Sequence, residues 1–347
     1  MGGMTTYAIL LLPSANRVYA DASPRLMAAE LEVLNRSVLD GRLSDAEQRT
    51  IGGVPYLTFE APGLAEEEIA LLANLSSIYG LFRLEGDLLA PLELRRLDRY
   101  DDDLITIQKY QGKTNEQFTK LLLNVTLWSS RFAGSMLRRR FRVFDPMCGR
   151  GTTLNQALMY GYDAAGTDID KRDFEAYSTF LSTYFKRKRL KHRAETSVLR
   201  RQKRVLGRRF EATVAPTKEE YKAGEVQSLS VSNIDATEAR SVHGANGFDL
   251  IVADAPYGVQ HGSRTEKEGL RRGPLELFTA AGPVWRELLR PGGALGISWN
   301  TLVAPRAEVV AALTEVGFEV CDSGAHHEFE HRVDQSILRD VVVARKP

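Results

Sequence analysis

From residue 115 onward the chain alternates short apolar runs with amphipathic stretches, and four of the runs end at an acid. FRVFD stops at Asp145, DAAGTD at Asp168, SLSVSNID at Asp235 and FDLIVAD at Asp254. Runs this short and apolar predict buried strands, and strands separated by helices of ten or more residues predict a mostly parallel sheet with helices on both faces. In such sheets ligands bind beyond the carboxyl ends of the strands, which is where all four acids fall. After Asp254 come Ala255, Pro256, Tyr257 and Gly258. A turn needs only the proline and the glycine, so the acid and the aromatic ring point to a ligand.

The stretch FDPMCGRGTTL, residues 144–154, sends the first of these strands into Gly149 and Gly151, with Thr152 or Thr153 placed to cap the next helix. Glycines there let the backbone approach a ligand, and a helix N-terminus favours a carboxylate or phosphate. The lysine and spacing of a P-loop are missing, as is the full GxGxxG of dinucleotide binders. Asp168 follows Gly151 by 17 residues and, with Asp170, ends the second strand, where such folds hold a ribose hydroxyl pair. Asp235 ends the third strand, where a carboxylate can accept a hydrogen bond from an adenine amino group, although aspartate is equally a turn or cap residue.

Taken in order, DPMCGRGT, GTDID, NIDA and DAPYG resemble the class I S-adenosylmethionine-dependent methyltransferases that modify amino nitrogens. More narrowly they resemble the tRNA guanosine N2-methyltransferases that carry an N-terminal THUMP region, whose motifs read DPFCGSGT, GSDID and DPPYG. The helix KTNEQFTKLLLNVT is similar to the one that covers the cofactor there. The resemblance spans about 113–347. It implies a Rossmann-like, seven-stranded, mostly parallel methyltransferase sheet and S-adenosyl-L-methionine as cofactor. The cofactor-binding set it implies is Asp145, Cys148, Gly149, Gly151, Thr152, Asp168, Asp170 and Asp235. Asp145, Gly149 and Gly151 would hold the methionine end, Asp168 the ribose and Asp235 the adenine. The implied catalytic set is Asp254, Ala255, Pro256 and Tyr257: the Asp254 carboxylate and the Ala255 carbonyl accept hydrogen bonds from the substrate amine, and Tyr257 stacks on the base. Two acceptors aimed at the protons of an exocyclic amine orient its lone pair and stabilise positive charge growing on nitrogen. Ala255 stands where the family has proline; the backbone carbonyl that does the bonding is unaffected.

Charge is unevenly spread. Residues 1–112 carry 10 Lys/Arg against 17 Asp/Glu, while the segment KRKRLKHRAETSVLRRQKRVLGRR, residues 186–209, holds 12 Lys/Arg and one Glu. Asp145 to Asp254 spans 109 residues, whereas the predicted helices, strands and short connections need roughly 60 to 70. The excess sits at 186–225, a basic insertion expected to be helical, with Arg200, Arg201, Lys203 and Arg204 placed to meet phosphates. A solvated, charged face is the alternative use of such a run.

Residues 1–95 read as strand, helix, strand, helix, strand, a small α+β domain that is acidic and shorter than the family's complete RNA-binding region; 96–112 read as a linker and 113–347 as the methyltransferase domain. No run reaches the length of a membrane span, and YAILLL, without a basic leader or a small-residue cleavage site, reads as a strand. Cys148 and Cys321 are too few for a disulfide framework, which fits a reducing cytoplasm. HEFEH, residues 327–331, matches HExxH, but a charged residue inside it and an upstream glycine argue against a metal-bearing helix; His326 and His331 are expected on a loop near the substrate cleft. The expected activity is methyl transfer to an exocyclic amino nitrogen of an RNA base, guanosine N2 in tRNA foremost. The alternatives are the same chemistry on DNA adenine or cytosine or on a small-molecule amine, and a non-catalytic RNA-binding protein that kept the fold.

Overall fold

A computed structural model describes residues 3–86, 88–201, 204–255, 273–322 and 324–347. The N-terminal part is an antiparallel sheet ordered β2-β3-β1-β4-β5, made of β1 (Thr5–Leu11), β2 (Ser44–Ile51), β3 (Val54–Ala61), β4 (Ile78–Glu85) and β5 (Leu88–Leu92), with helices α1 (Arg17–Val38) and α2 (Glu66–Leu72). Sequence pattern did not anticipate β2. Its side chains are exposed along almost the whole strand, so no alternation of apolar and polar residues marks it. Asn16 caps helix α1 by accepting from the Tyr19 amide, and Pro24 lies inside the helix. The carbonyl that Pro24 cannot bond, that of Ala20, accepts instead from the Ser23 hydroxyl at 3.0 Å.

The second sheet runs β13-β15-β12-β11-β6-β7-β10-β9-β8, with β14 on β15. In chain order its elements are α3 (Asp103–Thr106), α4 (Glu116–Trp128), β6 (Arg142–Asp145), α5 (Thr152–Met159), β7 (Asp163–Thr167), α6 (Lys171–Arg187), β8 (Lys191–Arg201), β9 (Arg204–Ala215), α7 (Lys218–Ala223), β10 (Gln227–Ser232), β11 (Phe248–Asp254), α8 (Pro274–Leu288), β12 (Leu289–Asn300), α9 (Arg306–Glu315), β13 (Glu319–Val320), β14 (His331–Arg332) and β15 (Leu338–Arg345). Strands β10, β7, β6, β11 and β12 pair in parallel; β15 and the hairpin β8–β9 bring in the antiparallel pairs. The fold is therefore the expected α/β class with a large, mostly parallel sheet beside a small antiparallel one.

The basic insertion is a β-hairpin and not a helical extension. Beneath the charges runs a period of two: Ala194, Thr196 and Val198 on one strand face Ala212, Phe210 and Arg208 on the other. Phe210, Ala212 and Val214 are buried against the core, because β9 pairs with β10 and extends the sheet. Burial of that stripe outweighs the helix propensity of the Lys/Arg run, and the β-branched residues fit a strand.

The two sheets share a core. Helix α1 packs on α4, and the fully buried Glu30 of α1 accepts from the Ser76 amide at 3.1 Å and from Asn124 Nδ2 of α4 at 2.7 Å. The segment that follows β5 is tied to the helices of the second part: the Arg99 amide donates to the Met159 carbonyl at the end of α5, and Lys188, just after α6, pairs with Asp101 and Asp103. No helix among the described residues is long and apolar enough to cross a membrane.

Candidate active site

Strand β6 ends on Asp145 and the chain turns back through Cys148, Gly149 and Gly151. Gly149 has φ +48° and Gly151 φ +79°, a region open chiefly to glycine. At Gly151 the ring of Tyr177 would lie 2.0 Å from an added Cβ, so the turn presses against α6 with no room for a side chain. Gly151 itself is the N-cap of α5; neither Thr152 nor Thr153 caps it. The Thr152 hydroxyl lies 3.2 Å from the hydroxyl of Tyr110, and the Gln108 side chain donates to the Arg150 carbonyl at 3.1 Å, so the segment before α4 braces the turn. Cys148 is buried, and burial pushes its thiol above the ordinary range, which leaves it a packing residue.

Asp168 closes the turn from the next strand: its carboxylate accepts from the Gly149 amide at 2.7 Å and from the Asp170 amide at 2.8 Å. Burial nevertheless raises Asp168 to about 6. Asp145, almost fully buried, is pushed up to about 7, chiefly by burial, with the charges of Asp168 and Asp254 adding to it. Three carboxylates thus feel one another across one crevice, an arrangement that favours a cationic ligand. Asp170 and Asp235 are doing local work. Asp170 caps α6 through the amides of Arg172 and Asp173, and Asp235 caps a short 3-10 turn through the Thr237 amide at 2.8 Å and hydroxyl at 2.6 Å. Asp235 remains partly exposed on the same edge.

At the end of β11, Asp254 is held by three side chains that sequence reasoning missed. The Thr114 hydroxyl donates to Oδ2 at 2.5 Å, the Ser298 hydroxyl donates to Oδ1, and Arg339 Nη2 lies 3.5 Å from Oδ2. Thr114 precedes α4, Ser298 is in β12 and Arg339 in β15. The signal available was polarity out of place: Ser298 and Asn300 interrupt an apolar run, and Arg339 precedes the buried run VVVA. The Ala255 amide donates to the Ser298 carbonyl at 2.8 Å, which fixes the backbone just past the acid. Pro256 and Tyr257 lie outside the described residues.

The histidines behave otherwise than expected. His331 is buried against Tyr19 and Phe118, and burial lowers it to about 4; the His326 ring lies 2.9 Å from the Ser129 hydroxyl. His331 lies on β14 opposite Arg339, the residue that faces Asp254, and His326 on a short 3-10 turn, so neither is on an extended loop. Among the described residues no group of His, Cys, Asp and Glu is arranged to hold a metal. A cavity of about 400 Å³ lies toward the other end of the strands, lined by Arg142, Asp163, Arg193, Glu195, Arg209 and Glu211. Its charges balance, and none of the four strand-end acids reaches it.

Residues 122–288 match the profile of the RMKL-like methyltransferase domain family, UPF0020. No curated protein matches the chain in sequence. Among solved structures the chain is similar to the 1,6-didemethyltoxoflavin-N1-methyltransferase of Burkholderia thailandensis (15% identity, 60% of this chain and 72% of that one, TM-score 0.36). It is also similar to the magnesium protoporphyrin IX methyltransferase of Synechocystis PCC 6803 (14%, 69% and 87%, TM-score 0.39) and to the precorrin-6y C5,15-methyltransferase of Geobacter metallireducens (12%, 72% and 98%, TM-score 0.38). A glycine turn and acids at the carboxyl ends of a parallel sheet suit a sulfonium cofactor, and the domain match agrees: residues 122–288 carry a methyltransferase domain, and the protein is an S-adenosylmethionine-dependent methyltransferase.

Proposed function

We propose that the enzyme methylates an exocyclic amino nitrogen of an RNA base, guanosine N2 in tRNA foremost. The observation that carries the reading is the seating of Asp254. Two hydroxyls and a guanidinium fix its carboxylate at the end of β11, one strand from Asp145 and two from Asp168 in the sheet order. S-adenosylmethionine, when bound, supplies the electrophilic methyl group on sulfur.

In this reading the chain's own groups do the rest. Asp145 faces the cofactor's ammonium and Asp168 its ribose hydroxyls, while Gly149 and Gly151 admit its methionine end and Asp235 accepts from the adenine amino group. Asp254 and the Ala255 carbonyl accept from the two protons of the substrate amine and so aim its lone pair at the methyl; Tyr257 stacks on the base. Stacking on an aromatic ring is worth ~1 to 3 kcal/mol per base and suits a base withdrawn from its helix. The likeness of DAPYG to the motif of amino-nitrogen methyltransferases supports the chemistry, and the basic hairpin supports a polyanionic substrate.

The test is transfer of labelled methyl from S-adenosylmethionine to total RNA, followed by digestion to nucleosides and mass spectrometry. Label in N2-methylguanosine is the expected result. Label only in a small amine or in DNA would reassign the substrate, and no transfer to any nucleic acid or amine would leave the active-site reading without support.

A further inference from the structure

Strands β11, β6, β7 and β10 are parallel, so their carboxyl ends share one edge, the edge of Asp254, Asp145 and Asp168. Strand β9 runs antiparallel to β10, with Arg209 opposite Ser232, the last residue of β10. Everything in β9 before Arg209 therefore projects past that edge, and its partner β8 goes with it. From Arg209 to Arg204 is about 16 Å of extended chain at ~3.3 Å per residue. Beyond Ser197 and Arg209 the two strands pair only with each other. This projecting arm adds nothing to the sheet's core.

Its surface is specific. Val198 faces Arg208, and Arg200 faces Val205 across the hairpin. Residues opposite each other, and residues two apart on β8, share a face, so this face presents two arginines alternating with two valines. Val198 is 52% exposed and Val205 56%. Arg200 and Arg204 are also exposed and form no ion pair with another described residue, whereas Lys188, Arg193, Arg208 and Arg209 have acidic partners. Charges that only guard a sheet edge would be spread along β8; these two stand at the end of the arm, past the sheet.

The root of the arm is tied to the cofactor crevice. At Gly207 an added Cβ would meet the Asn233 carbonyl oxygen at 2.1 Å, so the strand hugs the loop that leaves β10. The Asn233 amide donates to the Arg208 carbonyl at 2.8 Å, and its side chain donates to the carbonyls of Asp168 at 2.9 Å and Ile169 at 3.1 Å.

We infer that the β8–β9 hairpin is an arm that grips the RNA backbone to one side of the target base, Arg200 and, from the opposite face at the tip, Arg204 meeting phosphates while Val198 and Val205 lie against sugars or base faces. This rests on the RNA reading above and deepens it. Four strand spacings of ~4.8 Å separate β11 from β9 and the arm projects about 16 Å past the edge, so the grip lies on the order of 25 Å from Asp254. It engages nucleotides several positions from the one methylated, and a single nucleoside reaches Asp254 without touching it.

The full chain, wild type and the Arg200→Glu/Arg204→Glu variant, is titrated with total tRNA and with a labelled single-stranded RNA at several salt concentrations. Calorimetry with S-adenosylmethionine and light scattering run alongside. The variant is expected to bind RNA at least tenfold more weakly at low salt, with a log–log salt slope flatter by about 1.4, two phosphates at ~0.7 each. Affinity for S-adenosylmethionine should be unchanged. Wild-type affinity and slope in the variant would overturn the assignment, and a changed oligomeric state with RNA binding intact would give the arm to a second copy instead. If the wild type binds no RNA at all, the RNA reading of the enzyme falls along with the arm.

Discussion

Arg339 Nη2 lies 3.5 Å from Asp254 Oδ2, and the same guanidinium sits 4.3 Å from the centre of the Phe118 ring. Strand β15 thus supplies the cation that faces the carboxylate at the end of β11, two strands away in the sheet. Phe118 belongs to α4, the helix that Thr114 precedes, so one constellation joins the helix and both strands behind Asp254. Arg339→Met is expected to lower single-turnover methyl transfer about 10²-fold, roughly 2.7 kcal/mol of transition-state stabilisation, while leaving cofactor affinity within a few-fold. Thr114→Val and Ser298→Ala should each cost about tenfold. Wild-type turnover in Arg339→Met, with folding verified by thermal melting, would remove Arg339 from the positioning of Asp254.

Asp254→Ala should separate holding the cofactor from using it. Turnover is expected to drop by about 10² or more with cofactor affinity nearly intact, as when a transition-state acceptor is removed. Tyr257→Ala should do similar damage and Tyr257→Phe much less, because stacking needs the ring and not the hydroxyl. Steady-state rates and calorimetric affinities for the three variants decide the matter; equal loss in Tyr257→Phe and Tyr257→Ala would make the hydroxyl the working part.

Cofactor binding should depend on pH through Asp145, pushed up to about 7, and Asp168, pushed up to about 6, both chiefly by burial. Only the ionised forms can face an ammonium and accept from two ribose hydroxyls. Affinity for S-adenosylmethionine is therefore expected to rise from pH 5 to pH 8 with release of protons, seen as a buffer-dependent heat in calorimetry. The free protein follows the opposite trend. A carboxyl whose folded pKa lies above its unfolded one binds its proton more tightly when folded, so this contribution to stability falls as pH rises from about 4 to about 7 and then levels off. Asp145→Asn should abolish the part of both profiles centred near 7. A flat affinity profile in the wild type would contradict the assignment.

The two glycines of the turn should tolerate alanine unequally. Both have positive φ, but an added Cβ at Gly149 meets nothing within 4 Å, while at Gly151 it meets the Tyr177 ring at 2.0 Å. Gly149→Ala is expected to cost about 1 kcal/mol through its backbone conformation alone. Gly151→Ala should cost about 3 kcal/mol or more and weaken cofactor binding at least tenfold, since α5 and α6 must move apart. Denaturant melts and cofactor titrations of the two variants should keep that order.

Glu30 gives a prediction about the junction between the sheets. Burial raises its pKa, while Ser76 and Asn124 donate to it. Glu30→Gln keeps an acceptor of the same shape and should be close to neutral in stability at pH 7. Glu30→Ala strands buried donors and should cost about 3 kcal/mol, read from urea denaturation. Equal stability of Ala and Gln variants would mean that this contact does not couple α1 to α4.

The sequence by itself determined the α/β class and the strands that run into Asp145, Asp168 and Asp254, which follow from local pattern: apolar runs, a glycine turn that only positive φ allows, and acids at strand ends; the methyltransferase chemistry rested on the resemblance of the ordered motifs to a known family. Tertiary structure alone decided what surrounds them. Thr114, Ser298 and Arg339 lie far apart in the chain and meet at Asp254 only because α4, β12 and β15 pack together. Asp170 and Asp235, read as ligand acids in the sequence, also cap the helix or turn that follows, a second role that only the folded backbone displays. The basic stretch reads as a helix by composition and folds as a hairpin because β10 offers an unpaired edge and the core a place for Phe210, a long-range opportunity that no window of local sequence displays.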